Sequence, residues 1–268
     1  MTIYTGLVSI TFRRLNPLEI VSLVAENGLT AIEWGGDIHV PPGKLKLARD
    51  VYKMTTDAGL KVSSYGSYYR VGEEKKGSFA AVLDTARELH APIIRVWAGK
   101  HGSVKTDKKY RNKIIRESRR IADMADAAGI IISYEFHGGT LADTNISARM
   151  LLEEVNHDKI KIYWQPIVGS KANYCLAGLK SLIPWVTNIH TFHWGQSGER
   201  RPLIEGQDAW KRYLSVIAAS NRDHFLLLEF VKDDAPEMFL QDATTLKTWL
   251  EPYESGILSS TGIFTPKS

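Results

Sequence analysis

The stretch AAGIIISYE, residues 127–135, decides the fold. It couples the end of a helical pattern to a glycine, then to a short β-branched run, and it closes on a carboxylate. The same order recurs in ENGLTAIEW (26–34) and DAGLKVSSY (57–65). Helix, glycine, strand, used repeatedly, is the grammar of parallel βαβ units. Working outward, strands are expected at about 4–10, 31–34, 61–65, 93–97, 130–135, 160–164, 186–192 and 224–230. Helices are expected near 17–27, 44–58, 77–90, 107–128, 145–155, 172–182, 209–220 and 235–250. Asn16 before Pro17 reads as an N-cap with proline at the first helical position, and Gly28, Gly59 and Gly129 read as left-handed caps. Eight strands and eight helices predict an α/β fold, a (β/α)8 TIM barrel, and 268 residues suits one such domain. Residues 1–268 are read as one barrel domain with about 252–268 as a C-terminal tail.

Composition narrows the partners. The net charge is +4, and the positive residues cluster in KLKLAR (44–49), EEKK (73–76) and KTDKKYRNK (105–113), each diluted at helical spacing by acidic or apolar residues. That dilution describes solvated faces rather than a nucleic-acid surface, so no nucleic acid is expected. The single Cys175 excludes an intramolecular disulfide, no stretch has membrane-span length, and MTIYTGLVSITF lacks a basic region followed by a long apolar run. A cytoplasmic setting and no membrane partner are therefore expected. The outer helices of barrels often meet in symmetric contacts, which leaves a homo-oligomer open.

Four polar residues end the last four strands: Glu135, Gln165, His190 and Glu229. Residues at strand C-termini of a barrel share one face, so the four describe a ring of ligands for a divalent metal ion, Mn²⁺ first, with Mg²⁺, Co²⁺ or Zn²⁺ as alternatives. Alternation along each strand tests the ring. Pointing Glu135 inward sends Ile130, Ile132 and Tyr134 outward, and pointing Glu229 inward sends Leu226, Leu228 and Phe230 outward. Gln165 inward turns Lys161 inward at the far rim. A metal held there would polarise a carbonyl and its neighbouring hydroxyl, and Glu135 with Glu229 would form an acid/base pair for an enediolate route.

Around the ring stand further candidates, each with a plainer reading. Trp34, Trp97 and Trp194 could offer flat faces to a sugar, or be core. Arg200 and Arg201 lie in the long loop HWGQSGERRPLIEG (193–206) and could grip a phosphate, or be solvated. Asp37 and His39 follow the second strand as substrate-side or supporting residues. Glu33 and Arg95 are charged residues inside strands, where an interior ion pair positioning Glu135 and a rim salt bridge are equally open.

GLTAIEWGGDIHVPPG (28–43), APIIRVWAG (91–99), ISYEFHGGTLADT (132–144), IYWQP (162–166), NIHTFHW (188–194) and LLLEF (226–230) resemble the sugar phosphate isomerase/epimerase superfamily, the xylose-isomerase-like barrels of the AP endonuclease 2 family. The resemblance implies metal-binding Glu135, His190 and Glu229, the two glutamates also being catalytic, and a sugar or sugar-phosphate substrate undergoing isomerisation or epimerisation. It also implies Asp at position 165 and a substrate-contacting His at 168, where this chain has Gln165 and Val168. Glutamine lowers the formal ligand charge from about −3 to about −2, which weakens cation binding. His137 and His193 are the nearest replacements for the missing histidine. An inosose-type dehydratase on the same site and a non-catalytic sugar-binding barrel are the alternatives. An endonuclease IV-like three-metal nuclease is disfavoured, since too few His and Asp ligands reach the mouth.

Overall fold

The structure, a computed structural model, describes residues 1–73 and 78–254. Eight parallel strands close into a barrel: β1 (Ile3–Val8), β2 (Ala31–Gly35), β3 (Lys61–Arg70), β4 (Ile93–Trp97), β5 (Ile131–Tyr134), β6 (Ile160–Trp164), β7 (Val186–Thr191) and β8 (His224–Leu228). Each pairs with its sequence neighbours, and β8 returns to β1 with Leu228 opposite Leu7. Helices α1 (Pro17–Glu26), α2 (Leu45–Asp57), α3 (Phe79–Glu88), α4 (Lys108–Asp126), α5 (Asn145–Val155), α6 (Ala172–Leu182), α7 (Gln207–Ala219) and α8 (Pro236–Glu254) form the outer layer. This is the expected (β/α)8 TIM barrel.

The local signals act as read. The Asn16 side chain accepts from the Leu18 and Glu19 amides while Glu19 returns to the Asn16 amide, a reciprocal cap with Pro17 at the first helical position. Gly28, Gly59 and Gly129 hold φ of 66°, 74° and 72°, the left-handed region needed between a helix end and the next strand. Two boundaries differ by more than two residues. β3 runs on to Arg70 because its pairing to β4 slips between Gly66 and Tyr69, extruding Ser67 and Tyr68 as a bulge. α8 runs two residues past Pro252, although that proline lacks the amide that would bond the carbonyl one turn back, so residues 252–254 of the expected tail are helical. The remainder of that tail, 255–268, lies outside the described residues.

Alternation sorts the barrel into two environments. Ile132, Tyr134, Ile162, Trp164, Leu226 and Leu228 belong to the layer packed under the helices; Tyr134 donates to Ser118 on α4, and Trp164 sits edge-on to Trp210 and Tyr213 of α7. The interior combines a buried apolar cluster of Val8, Ile10 and Leu227 with polar pairs. Asn188 donates to Tyr163 Oη at 2.9 Å, and Ser64 donates to Glu33 Oε2 at 2.9 Å. Lys161 keeps partial exposure. The basic clusters on α2 and α4 are surface faces with ion pairs such as Lys46–Asp50 and Arg111–Glu154; most of EEKK lies outside the described residues. No helix among the described residues is long and apolar enough to cross a membrane.

Candidate active site

Glu135, Gln165 and Glu229 each directly follow the last residue of β5, β6 and β8, and His190 lies one residue before the end of β7. Parallel strands therefore bring them to one end of the barrel. A carboxylate oxygen of Glu135, a carboxylate oxygen of Glu229 and a ring nitrogen of His190 lie within 4.8 Å of one another, all three residues buried. Ligands about 2.0–2.2 Å from one ion stand up to about 4.4 Å apart, so a shift of a few tenths of an ångström would let the group close on a cation. Gln165 Oε1 joins them, 2.8 Å from His190 Nδ1, and Glu229 Oε2 lies 3.3 Å from the same nitrogen. Two carboxylates, one imidazole and one amide oxygen suit a hard or borderline divalent ion.

Beneath this ring lies a buried charge cluster. Arg95 donates from Nε to Glu33 Oε1 at 2.7 Å and from Nη1 to Glu135 Oε2. Trp97 Nε1 donates to the same Glu135 oxygen. Both bonds fall on Oε2, which leaves Oε1 of Glu135 for a cation or a proton. Glu33 and Arg95 therefore form the interior pair, not a rim salt bridge. Burial alone would raise the Glu33 carboxyl, but Arg95 and His190 outweigh it and pull it down to about 2. Burial alone would lower the His190 imidazole, yet Glu229 and Glu33 push it up to about 9. Nδ1 of that ring donates to Gln165 Oε1 at 2.8 Å.

A cavity of about 260 Å³ opens above the ring, lined by Glu135, His137, Gln165 and Glu229 together with Phe136, Ile167, Val168, Phe192, Trp194, Phe230 and Asp143. His137 and Trp194 are thus at the mouth as expected, and Trp97 stands behind His137 at 5.0 Å between ring centroids. Other expected residues fall elsewhere. Trp34 is fully buried and donates to Thr55 on α2 at 3.2 Å, because its neighbour Glu33 takes the inward position. His39 is also buried: Nδ1 accepts from Ser9 Oγ at 2.9 Å and Nε2 donates to the Leu15 carbonyl at 3.1 Å, so it holds loops together. Asp37 is paired with Arg13 at 2.5 Å and does not line the cavity. His193 and Arg201 line a separate cavity of about 530 Å³ beyond Trp194, and Arg201 pairs with Glu199. Arg200 pairs with Asp234, its guanidinium 4.6 Å from the Phe230 ring centroid. Neither arginine enters the cavity above the ring.

Two mouth residues escape sequence reasoning. Phe230, expected outward, adopts φ of 53°, which breaks the alternation and turns its ring toward Trp194 in the cavity wall. Tyr68 in the β3 bulge adopts φ of 57°, lies edge-on to Trp97 at 5.3 Å and sits 5.1 Å from the Arg95 guanidinium. A left-handed aromatic residue carries no sequence signature, although the aromatic and serine run SYGSYYR was available to flag an irregular strand.

Residues 21–249 match the family model described as xylose isomerase-like TIM barrel. A 3-dehydroshikimate dehydratase of Bacillus anthracis is 22% identical over 90% of this chain and 95% of its own length. Among solved structures, the probable 3-DHS dehydratase AsbF of Bacillus anthracis superposes with a TM-score of 0.76 at 21% identity, covering 92% of this chain and 99% of that one. D-psicose 3-epimerase of Clostridium cellulolyticum H10, solved with D-tagatose, gives 0.69 at 13% identity over 92% and 98%. At such identities the superpositions establish the barrel and leave the reaction open.

Proposed function

We propose that this chain, which belongs to the xylose isomerase-like TIM barrel family, is a divalent-metal-dependent sugar isomerase or epimerase that removes a proton α to a carbonyl. The observation that carries the reading is the convergence of Glu135, His190 and Glu229 from three strands to within 4.8 Å at the barrel mouth. A bound divalent ion, Mn²⁺ first, would supply Lewis-acid polarisation of the carbonyl and its neighbouring hydroxyl. Glu135, Gln165, His190 and Glu229 are the residues that would hold it.

The protein's own part is proton transfer, orientation and exclusion of water. Glu135 keeps Oε2 on Arg95 and Trp97, so its carboxylate is fixed and Oε1 is the oxygen left to take the proton. Glu229 reaches the mouth from β8, across the ring from β5. One carboxylate removes the proton and the other returns one from the opposite face, which inverts the carbon. Phe192, Trp194 and Phe230 offer flat apolar walls to the C–H face of a sugar. The described lining residues of this cavity include no lysine or arginine, which favours an uncharged sugar over a sugar phosphate.

Dehydration is the second reading, favoured by the dehydratase at 22% identity. It starts with the same proton removal, and the proton taken up by the carboxylate then leaves with the β-hydroxyl as water. The test uses Glu135→Gln and Glu229→Gln with ketoses in D₂O. Each variant should lose turnover by about 10²–10⁴-fold with its circular dichroism unchanged. Deuterium incorporation without water loss identifies the epimerase, and loss of water identifies the dehydratase. Full turnover in both variants would remove the acid/base assignment.

A further inference from the structure

Nε2 of His190 is buried and has no hydrogen-bond partner among the described residues. The carboxylate facing it is Glu33 Oε2 at 3.6 Å, and Glu33 is itself 0% exposed. We infer that Glu33 is a positioning residue for the cation site, one carboxylate on β2 that orients two ligands, His190 by holding its Nε2 side and Glu135 through Arg95. The inference rests on the metal-dependent reading above.

Three observations support it. Glu33 is anchored before any ligand arrives: Oε1 accepts from Arg95 Nε at 2.7 Å and Oε2 from Ser64 Oγ at 2.9 Å. Its aim at the imidazole is therefore set by strands β3 and β4. Next, the two nitrogens of His190 face different chemistry. Nδ1 looks onto Gln165 Oε1 and Glu229 Oε2, whereas Nε2 looks down the barrel toward Glu33. A cation on the Nε2 side would crowd the Arg95 guanidinium bound to that same carboxylate, so like charge rejects it there. Nδ1 is left as the ligand nitrogen, and a carboxylate facing Nε2 at 3.6 Å favours the proton on that nitrogen, which selects the tautomer. Finally, the backbone makes room for the arrangement. A Cβ at Gly66 would stand 2.6 Å from Arg95 Nη2 and 2.8 Å from Glu33 Oε1. Stability gives no reason for it, since apolar replacements of buried ion clusters are often as stable or more so.

The test measures Mn²⁺ affinity of the whole chain by calorimetry for wild type, Glu33→Gln and Thr85→Ala. Thr85→Ala removes a buried hydroxyl on α3 that accepts from the Gly43 amide at 2.8 Å, away from the ring, and reports the purely structural cost. Glu33→Gln should weaken Mn²⁺ about 10–100-fold, with Thr85→Ala within about threefold of wild type. Wild-type affinity in Glu33→Gln, or equal losses in both variants, overturns the positioning role and leaves the proposed function standing. Failure of the wild type to bind Mn²⁺ removes both. Wild type alone gives a second readout: in Zn²⁺-loaded protein with ¹⁵N-labelled histidine, His190 should show a metal-shifted Nδ1 and a proton on Nε2, and the reverse pattern overturns the inference.

Discussion

Nε of Arg95 donates to Oε1 of Glu33 at 2.7 Å with both side chains at 2% exposure or less. Neither ion reaches water, so each depends on the other for its charge. Arg95→Met would strand two buried carboxylates, Glu33 and Glu135, and should cost about 3–5 kcal/mol in urea unfolding. Replacing both partners with Glu33→Leu and Arg95→Met should cost clearly less than the two single losses added together. Strict additivity would mean that the pair is not coupled.

The barrel was legible because it is written in local chemistry: caps at Asn16 and Pro17, left-handed Gly28, Gly59 and Gly129, and apolar runs of strand length. The ring was legible for a related reason, since Glu135, Gln165 and Glu229 stand just past apolar strands where parallel pairing forces them to one end. Trp34 takes the core position, the plainer of its two readings. Glu33 and Trp34 are consecutive in β2, so they cannot both face the interior, and the buried ion pair decides which one does. Phe230 and Tyr68 were hidden by positive φ, a backbone state set by tertiary packing and not by residue type. His39 was hidden because its partners, Ser9 and Leu15, are 30 and 24 residues away.

The two tryptophans should separate cleanly in experiment. Trp34→Ala empties a filled site under α2 and should lose about 3–5 kcal/mol of stability. Trp194→Ala removes a cavity wall shared with Phe192 and Phe230 and should weaken ketose binding about tenfold, with a smaller change in melting temperature. Unchanged ketose affinity in Trp194→Ala would take that ring out of the substrate site.

Gly66→Ala tests the space beneath the ring. The added methyl meets Arg95 Nη2 at 2.6 Å and Glu33 Oε1 at 2.8 Å, neither of which is a free end able to swing away. The expected cost is about 1–3 kcal/mol in thermal or urea unfolding. A neutral substitution would show the charge cluster to be looser than its distances imply.

Asp242 on α8 gives the pH dependence a defined sign. Its side chain is 3% exposed, and burial pushes the carboxyl up to about 6 from an ordinary 3.8, partly opposed by the Leu203 amide that donates to Oδ1 at 2.8 Å. Between those two values the folded protein holds more protons than the unfolded chain, so this group makes stability fall as pH rises from about 4 to 6. Above pH 6 the cost of the buried charge is present in full, and below 4 it vanishes. Asp242→Asn keeps an acceptor for Leu203 and removes the charge. It should raise stability at pH 7 by about 1–3 kcal/mol and flatten the slope between pH 4 and 6, both read from urea melts across that range. A variant that is less stable at pH 7, with the slope intact, would mean that Asp242 is ionised and stabilising where it sits.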